Sequence, residues 1–571
     1  MMHLDYSCES LIQSIFENVT TNPDRLALAF IYEDGLEEWI SISQFHREAS
    51  RFAVNFRKRG LQEDDILILV LDHSPELLYA FWGAMYLGAI PSIFPLLNEK
   101  LDPEFYRKQV NNLAAHSGAK AVIAGEEFEH QLKMSSGWGN CQVIGVNELV
   151  GEDEVKDFEL PGGIAKHSYH REKIAFLQHS SGTTGLQKAV ALSHRAVLNQ
   201  LAEYAKAIEL KDSDVIVSWL PLYHDMGLIA GFVMPLVLGV PLVLMSPFYW
   251  VRDPQKLLWA ITKYKGTLSW LPNFAYNHMH RAIRARDLDG LDLSSWRMVI
   301  NCSEPVRLDS HQMFYERFSQ YGLAEKALAT CYAMAENTFA VTQSKPGQVP
   351  FIDWVELAAL QENLLAIPAT ENSPGASPVV SCGFPIDENE IQIMGQAGES
   401  LPERCVGEIT IRSNSLLKEY HRRPEITAQA FKDGWFYTGD LGYLAGGQLF
   451  ITGRNKDLII VGGKNIFPAD LEAIANSIRG IHPGRAVAFG VYDERMGTES
   501  IVMVCELENG VNEEEYRFIE RDLRRRVAQE CGVTLADVRF VESKWLVKTS
   551  SGKIARNENR TRYLRDFLGE A

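Results

Sequence analysis

The sequence has no C-x-x-C pair and no group of His and Cys at metal-ligand spacing, although it holds eight cysteines: Cys8, Cys141, Cys302, Cys331, Cys382, Cys405, Cys505 and Cys531. Such scattered thiols exclude a zinc ribbon or a disulfide framework and fit free thiols in a reducing, cytoplasmic setting. Cys382, in Val380-Ser381-Cys382-Gly383, has no His partner that the sequence can locate, so thiol catalysis is not indicated. Long apolar runs are missing too. None reaches the ~18 to 20 residues needed to cross a membrane, so no membrane span is expected. The start, Met1-Met2-His3-Leu4-Asp5-Tyr6, lacks the basic-then-apolar order of a signal peptide. There is no internal repeat and no low-complexity tract. Positive charge is in deficit, with 56 Lys and Arg against 74 Asp and Glu for a net −18, which disfavours nucleic acid as a partner.

The deficit is uneven. From Lys456 onward 18 basic residues face 19 acidic ones, which leaves 38 against 55 for residues 1–455. The stretch from Arg539 to Arg565 carries eight basic and two acidic residues. It reads either as a solvated helix face or as a surface for polyphosphate or an acidic partner. A chain of 571 residues exceeds one simple domain.

Asp65 to Leu71 is a continuous apolar run, as expected of a strand buried on both faces. Ser74-Pro75-Glu76 opens a helix to about Leu87, stopped by Gly88. Ala89 to Phe94 and Ala121 to Ala124 read as further strands. This alternation predicts an α/β fold of several layers. Gln343 to Pro378 is rich in Pro, Gly and polar residues yet holds Phe351, Trp354 and Leu357, and reads as a partly packed insertion. Near Arg454-Asn455-Lys456-Asp457 the pattern changes. The expected division is 1–455 for a large α/β domain and 456–571 for a small α+β domain.

The strongest local signal is Ser180-Ser181-Gly182-Thr183-Thr184-Gly185-Leu186-Gln187-Lys188, entered from the strand Ile174 to Leu177. Its glycines free the backbone to turn N–H groups onto phosphate oxygens, and its hydroxyls and Lys188 add donors and charge. It is no Walker loop: Lys188 lies three residues past Gly185, and a strand, Ala189 to Leu192, follows before any helix. The helix starts after Ser193, a candidate N-cap, and runs to about Ile208. By itself the loop reads equally as a Gly/Ser hairpin.

Four more motifs follow in order: Tyr332-Ala333-Met334-Ala335-Glu336, Tyr437-Thr438-Gly439-Asp440, Gly453-Arg454-Asn455-Lys456-Asp457 and Ser550-Ser551-Gly552-Lys553. With the Ser/Thr-Gly loop they resemble, in sequence and order, the adenylate-forming superfamily of acyl-CoA synthetases, peptide-synthetase adenylation domains and luciferases. Within it the chain is most similar to fatty acyl-AMP ligases. The stretches that carry this are Trp219 to Leu228, Pro272-Asn273-Phe274-Ala275-Tyr276, Ser303-Glu304-Pro305-Val306-Arg307, Asp457 to Ile460, and the insertion's place. Gln187 and Ala189 depart from the Pro and Gly usual beside the loop lysine.

The resemblance implies ATP-dependent activation of a carboxylic, fatty or related, acid as acyl-AMP. Transfer to the phosphopantetheine thiol of an acyl carrier protein would follow. Free CoA is the alternative acceptor, and a non-catalytic scaffold the remote alternative. It implies Lys553 as the bridge between carboxylate and α-phosphate, and His224 as the group orienting the carboxylate. Glu336 would act on a Mg²⁺ ion. Ser181, Gly182, Thr183, Thr184, Gly185 and Lys188 would meet the phosphates. Ser303, Glu304, Pro305 and Tyr332 would meet adenine, and Asp440 and Arg454 the ribose. Trp219, Met226, Phe232, Trp270, Leu271 and Phe274 become candidate acyl-pocket walls, with plain core packing the competing reading for each. Lys456 becomes the hinge of a mobile C-terminal lid. The attacking carboxylate is already charged, so the chemistry asks for charge stabilisation instead of a general base.

Overall fold

A computed structural model describes residues 10–96, 103–134, 138–150, 170–179, 188–461, 464–493, 498–549 and 552–569. Ser181, Gly182, Thr183, Thr184 and Gly185 lie outside the described residues.

Two largely parallel sheets make up the N-terminal region. One has nine strands in the order Phe384–Pro385, Ala340–Gln343, Leu328–Ala333, Met298–Asn301, Leu268–Leu271, Ile216–Ser218, Leu242–Met245, Leu26–Ile31 and Glu37–Ser41. The other has seven, in the order Glu419–Tyr420, Ala189–Ser193, Ile174–His179, Ile90–Ile93, Ile66–Val70, Ala121–Ala124 and Gln142–Gly145. The helix Pro75–Leu87 is buried along almost its whole surface, which its near-continuous apolar sequence permits. Ser74 sits at its N-cap without a side-chain bond, and Gly88 ends it at φ 80°. Ser193 does cap the helix His194–Ala207, accepting from the Ala196 N–H.

A third, antiparallel sheet holds Asn389–Met394, Gly407–Ser413, Trp435–Ala445 and Phe431–Lys432, with Gln448–Arg454 paired on Trp435–Ala445. Beyond it the chain builds a second, smaller α+β unit. Its strands Ile481–Asp493, Thr498–Leu507 and Leu535–Val541 pack with the helices Pro468–Ser477, Glu513–Cys531 and Arg556–Tyr563. Ile474, Met503, Leu523 and Val538 lie in a core of its own.

The insertion is folded. Ile352–Glu356 pairs with Ala376–Val380, and Leu357–Asn363 is helical. Phe351, Trp354 and Leu357 are only its outer contacts: Phe351 is exposed although its ring meets Phe450 edge-on, and the other two are half-buried. A strand alternates its faces, so Asp353 and Val355 point inward in their place. Asp353 accepts from the Tyr443 hydroxyl at 2.8 Å and from Arg404 at 3.0 Å. Val355 and Leu360 share a cluster with Tyr443, Phe450 and, from the smaller unit, Phe467. The insertion therefore touches both parts. The Asn465 side chain also donates to the Gln361 carbonyl at 3.0 Å, and Lys464 pairs with Glu362 at 2.8 Å. Arg307 and Asp470 add a further ion pair at 2.9 Å.

Candidate active site

The carboxyl ends of the nine-stranded sheet, the antiparallel sheet and a loop of the smaller unit meet around one set of charges. Crevices at such strand ends are where α/β sheets take ligands. Tyr332, near the end of Leu328–Ala333, donates its hydroxyl to Asp440 Oδ2 at 2.6 Å. Arg454, paired opposite Asp440 in the sheet register, donates from Nε to Oδ1 at 3.0 Å. Asp440 is thus fixed by two donors, and its charge holds the Arg454 guanidinium protonated beyond its ordinary range. Ser303 sits at φ 68°, a backbone state a non-glycine residue rarely adopts, with its hydroxyl 3.8 Å from the Met226 sulfur. The Glu304 carboxylate accepts the Phe274 N–H at 2.9 Å, and Pro305 lies exposed beside it.

Glu336 follows Tyr332 by four residues in a short 3-10 turn, Ala335–Asn337. The turn is held by Asn337, which donates to the Ala340 carbonyl, and by Thr338 at φ 62°, whose hydroxyl donates to the Ser415 carbonyl at 2.7 Å. Glu336 accepts from the Tyr420 hydroxyl at 2.9 Å, and the Lys188 ammonium lies 4.7 Å over the Tyr420 ring. Lys188, Tyr420 and Glu336 are therefore one chain of contacts. Burial raises the Glu336 pKa, and Asp225 raises it further.

Lys553 comes from the smaller unit. Its loop is pinned by its own backbone, Gly552 N–H to Thr549 O at 2.8 Å and Thr549 N–H to Lys553 O at 2.8 Å. Three residues on, Arg556 donates twice to Glu472, at 2.9 and 2.6 Å, and once to Asp457 at 2.7 Å. Burial lowers the Lys553 pKa and Arg454 lowers it further, while Asp225 and Glu304 act against this. The ammonium is therefore within electrostatic reach of Arg454 and of two carboxylates. Desolvation, with Lys553 adding to it, holds His224 at about 3, so the imidazole is neutral at pH 7. Its Nε2 has no hydrogen-bond partner among the described residues. Lys456 lies exposed between Arg454 and Asp457.

The candidate acyl walls separate into two groups. Trp219 stacks on Trp250 with centroids 3.6 Å apart and planes 7° apart, and the half-open Phe274 ring meets both edge-on. Met226, beside Ser303, joins this side to the charged site. Phe232 instead packs on Phe81 and Trp82 in the central core. Leu271 is fully buried, and Trp270 donates its indole N–H to the Tyr204 hydroxyl at 2.7 Å. Tyr204 in turn donates to Gln343 at 2.8 Å.

Sequence reasoning missed Asp225, Tyr420, Trp250 and Arg556. Asp225 adjoins His224 and could have been weighed with it. Arg556 follows Lys553 by three residues, but its partners lie 84 and 99 residues away. Tyr420 and Trp250 carry no local signal.

The AMP-binding enzyme family matches residues 15–421, and the chain belongs to that family. It is 30% identical over 573 residues to the medium-chain-fatty-acid–acyl-carrier-protein ligase JamA of Moorena producens, covering 96% of this chain and 93% of that one. It superposes with a TM-score of 0.88 on a chain from structural studies of the E. coli and L. pneumophila fatty acyl-adenylate ligases, 28% identical, covering 99% of each. The L. pneumophila fatty acyl-adenylate ligase in complex with acyl adenylate and pyrophosphate matches with a TM-score of 0.75 and 28% identity, covering 99% of this chain and 98% of that one. This chain is an ATP-using, acyl-adenylate-forming ligase of the fatty-acid type.

Proposed function

We propose that the chain joins a fatty or related acid to AMP at this site and passes the acyl group to the phosphopantetheine thiol of a carrier protein, within the cytoplasm. The observation that carries the reading is Lys553. A lysine from the smaller unit is brought beside neutral His224 and among charges held by the larger one.

In the first step a carboxylate oxygen bonds to the α-phosphorus of ATP, the α–β P–O bond breaks, and pyrophosphate leaves. Lys553 offsets the repulsion between the two anions. Lys188 and the hydroxyl-rich loop before it hold the departing phosphates, and His224 orients the carboxylate by hydrogen bonding. Asp440, held by Tyr332 and Arg454, accepts the ribose hydroxyls, while the Ser303-Glu304-Pro305 backbone and the Tyr332 ring receive adenine. Fixed charges in a water-poor site act strongly because they need no reorganisation during reaction. In the second step the thiol sulfur attacks the acyl carbonyl carbon, its proton is lost to solvent, and AMP leaves.

Glu336 suits a hard divalent cation, because desolvation and the nearby Asp225 both penalise its negative charge. Bound there with ATP, Mg²⁺ would neutralise phosphate charge. Lys456 serves as the pivot by which the smaller unit leaves the adenylation pose to admit the thiol. The carrier acceptor is favoured over free CoA by two features: JamA's acceptor is a carrier protein, and the insertion here bonds to the smaller unit through Gln361, Glu362 and the cluster around Phe467. Acid-dependent ATP–pyrophosphate exchange across a panel of acids tests the first step. Separate transfer assays with holo carrier protein and with CoA test the second; efficient acyl-CoA release with no transfer to a carrier contradicts the acceptor assigned here.

A further inference from the structure

The Glu304 side chain takes no part in the steps above, where only the backbone of Ser303-Glu304-Pro305 is assigned to adenine. It reaches 30 positions back along the chain, and its carboxylate accepts the Phe274 N–H at 2.9 Å. Phe274 is the second residue of the helix Asn273–Ala282, whose N-cap position is Pro272. A proline side chain has no oxygen to offer the free N–H groups of the first turn, so Glu304 supplies one from outside the helix. Its negative charge also suits the positive end of the helix.

The helix in turn holds the loop. Asn273 Oδ1 accepts the Arg307 N–H at 3.1 Å and the Asn301 side-chain amide at 2.9 Å. Asn301 ends the strand Met298–Asn301, which leads into Ser303. Asn273 is itself fixed by donating to the Ser310 hydroxyl at 3.0 Å, and Asn301 by donating to the His311 ring at 3.0 Å. All four of these side chains belong to buried residues. Loop and helix are therefore clasped in both directions: a side chain of the loop holds the backbone of the helix, and a side chain of the helix holds the backbone of the loop. Ser303, inside the clasp, keeps φ at 68°, a strained state that persists where its surroundings fix it. On the helix side the Phe274 ring is 41% exposed and edge-on to the Trp219–Trp250 stack.

We propose that Glu304 is a positioning residue whose side chain, with Asn273, sets adenine recognition and acid selection together. This rests on the reading above in which the Ser303-Glu304-Pro305 backbone meets the base and Phe274 lines the path of the acid. Loss of the carboxylate frees the loop and the first turn of the helix at once. The strained Ser303 then relaxes and the Phe274 ring shifts. Selection at a hydrogen-bonding edge needs its donors and acceptors held in place, and a pocket wall selects by shape, so both selectivities fall. The Glu304 charge also acts on Lys553, so a rate alone does not report the clasp. Ratios of kcat/KM between paired substrates do, because a common loss through Lys553 cancels in them.

The test uses the full chain as wild type, Glu304→Ala, Glu304→Gln and Asn273→Ala. Acid-dependent pyrophosphate release is measured with ATP and with ITP, which lacks the exocyclic amine, and with acids of graded chain length; melting temperatures are recorded alongside. Glu304→Ala is expected to lower the ATP-to-ITP ratio at least about fivefold, and the ratio of preferred to disfavoured acid at least about threefold. Asn273→Ala moves both ratios in the same direction, and the two Glu304 variants decide alone should it fail to fold. Glu304→Gln keeps an acceptor for the Phe274 N–H without the charge, and holds both ratios near wild type even where its rate falls. Variants that melt earlier with both ratios unchanged overturn the proposal, since the clasp would then only stabilise the fold. A change confined to one ratio overturns it too, as does a Glu304→Gln altered as much as Glu304→Ala. Wild type that uses ITP as well as ATP overturns the adenine assignment and this proposal together, whereas the other adverse results leave that assignment standing.

Discussion

Trp270 is held by a hydrogen bond to Tyr204, and Tyr204 by one to Gln343, so the indole cannot swing aside without leaving buried polar groups unpaired. A rigid ring at the end of Leu268–Leu271 shortens any acyl channel that runs past it. Overfilling a packed site costs about 1 to 3 kcal/mol, while each extra buried methylene gains about 0.8. Wild type is therefore expected to favour shorter acids, and Trp270→Gly to move the optimum towards longer ones on a chain-length ladder. A wild type already best with long chains, and a variant with the same ranking, would show that Trp270 only packs the core. The residue type was legible in the sequence; its clamp was not, because Tyr204 and Gln343 are 66 and 73 positions away. The same holds for Asp225. Its neighbour His224 was named from its motif, but the shared reach to Lys553 exists only once two parts of the chain meet.

Arg556 shows what a single element adds. It ties the Lys553 loop to Glu472 on Pro468–Ser477 and to Asp457 beside the expected pivot. Glu472 is further fixed by the Ala488 N–H at 3.1 Å. Breaking one partner of such an enclosed ion network costs about 3 to 5 kcal/mol. Arg556→Gln is expected to lower pyrophosphate exchange at least about tenfold through a misplaced Lys553, with transfer from supplied acyl-AMP better preserved. Equal loss in both half-reactions would mean that Arg556 only stabilises the fold. Helices and strands with strong local signatures, such as Pro75–Leu87 and Ala121–Ala124, were readable in advance. The innermost contacts of the insertion are not legible from apolar character alone, because strand alternation turns Asp353 and Val355 inward and leaves Phe351 exposed with only an edge-on contact to Phe450.

At the scale of the molecule, buried neutral histidines set an acid limit. His179, His194 and His311 are enclosed and held at about 4, half-buried His46 also at about 4, and His73 and His224 at about 3. Two of them must be unprotonated to accept bonds, from the Leu11 N–H to His194 and from the Asn301 amide to His311. A depressed folded-state value means stability that is complete above the unfolded value of about 6.5 and is lost as pH falls from there through 4 and then 3. The raised carboxyls of Asp225, Glu304 and Glu336 act in the opposite sense but are fewer. The melting temperature is expected to drop steadily from pH 6.5 to 4; a flat profile to pH 4.5 would contradict this. Adenylation should show no inflection from His224 between pH 5 and 7.

The proposal that unites these scales is that a lysine from one unit, Lys553, completes a site built by the other. It is tested most directly by acid-dependent ATP–pyrophosphate exchange in wild type and Lys553→Ala, with ATP binding measured in parallel. A positioned charge in a water-poor site is worth several kcal/mol, so the variant is expected to lose on the order of 10²-fold or more of the exchange while still binding ATP. Exchange that survives within a few-fold would contradict the account.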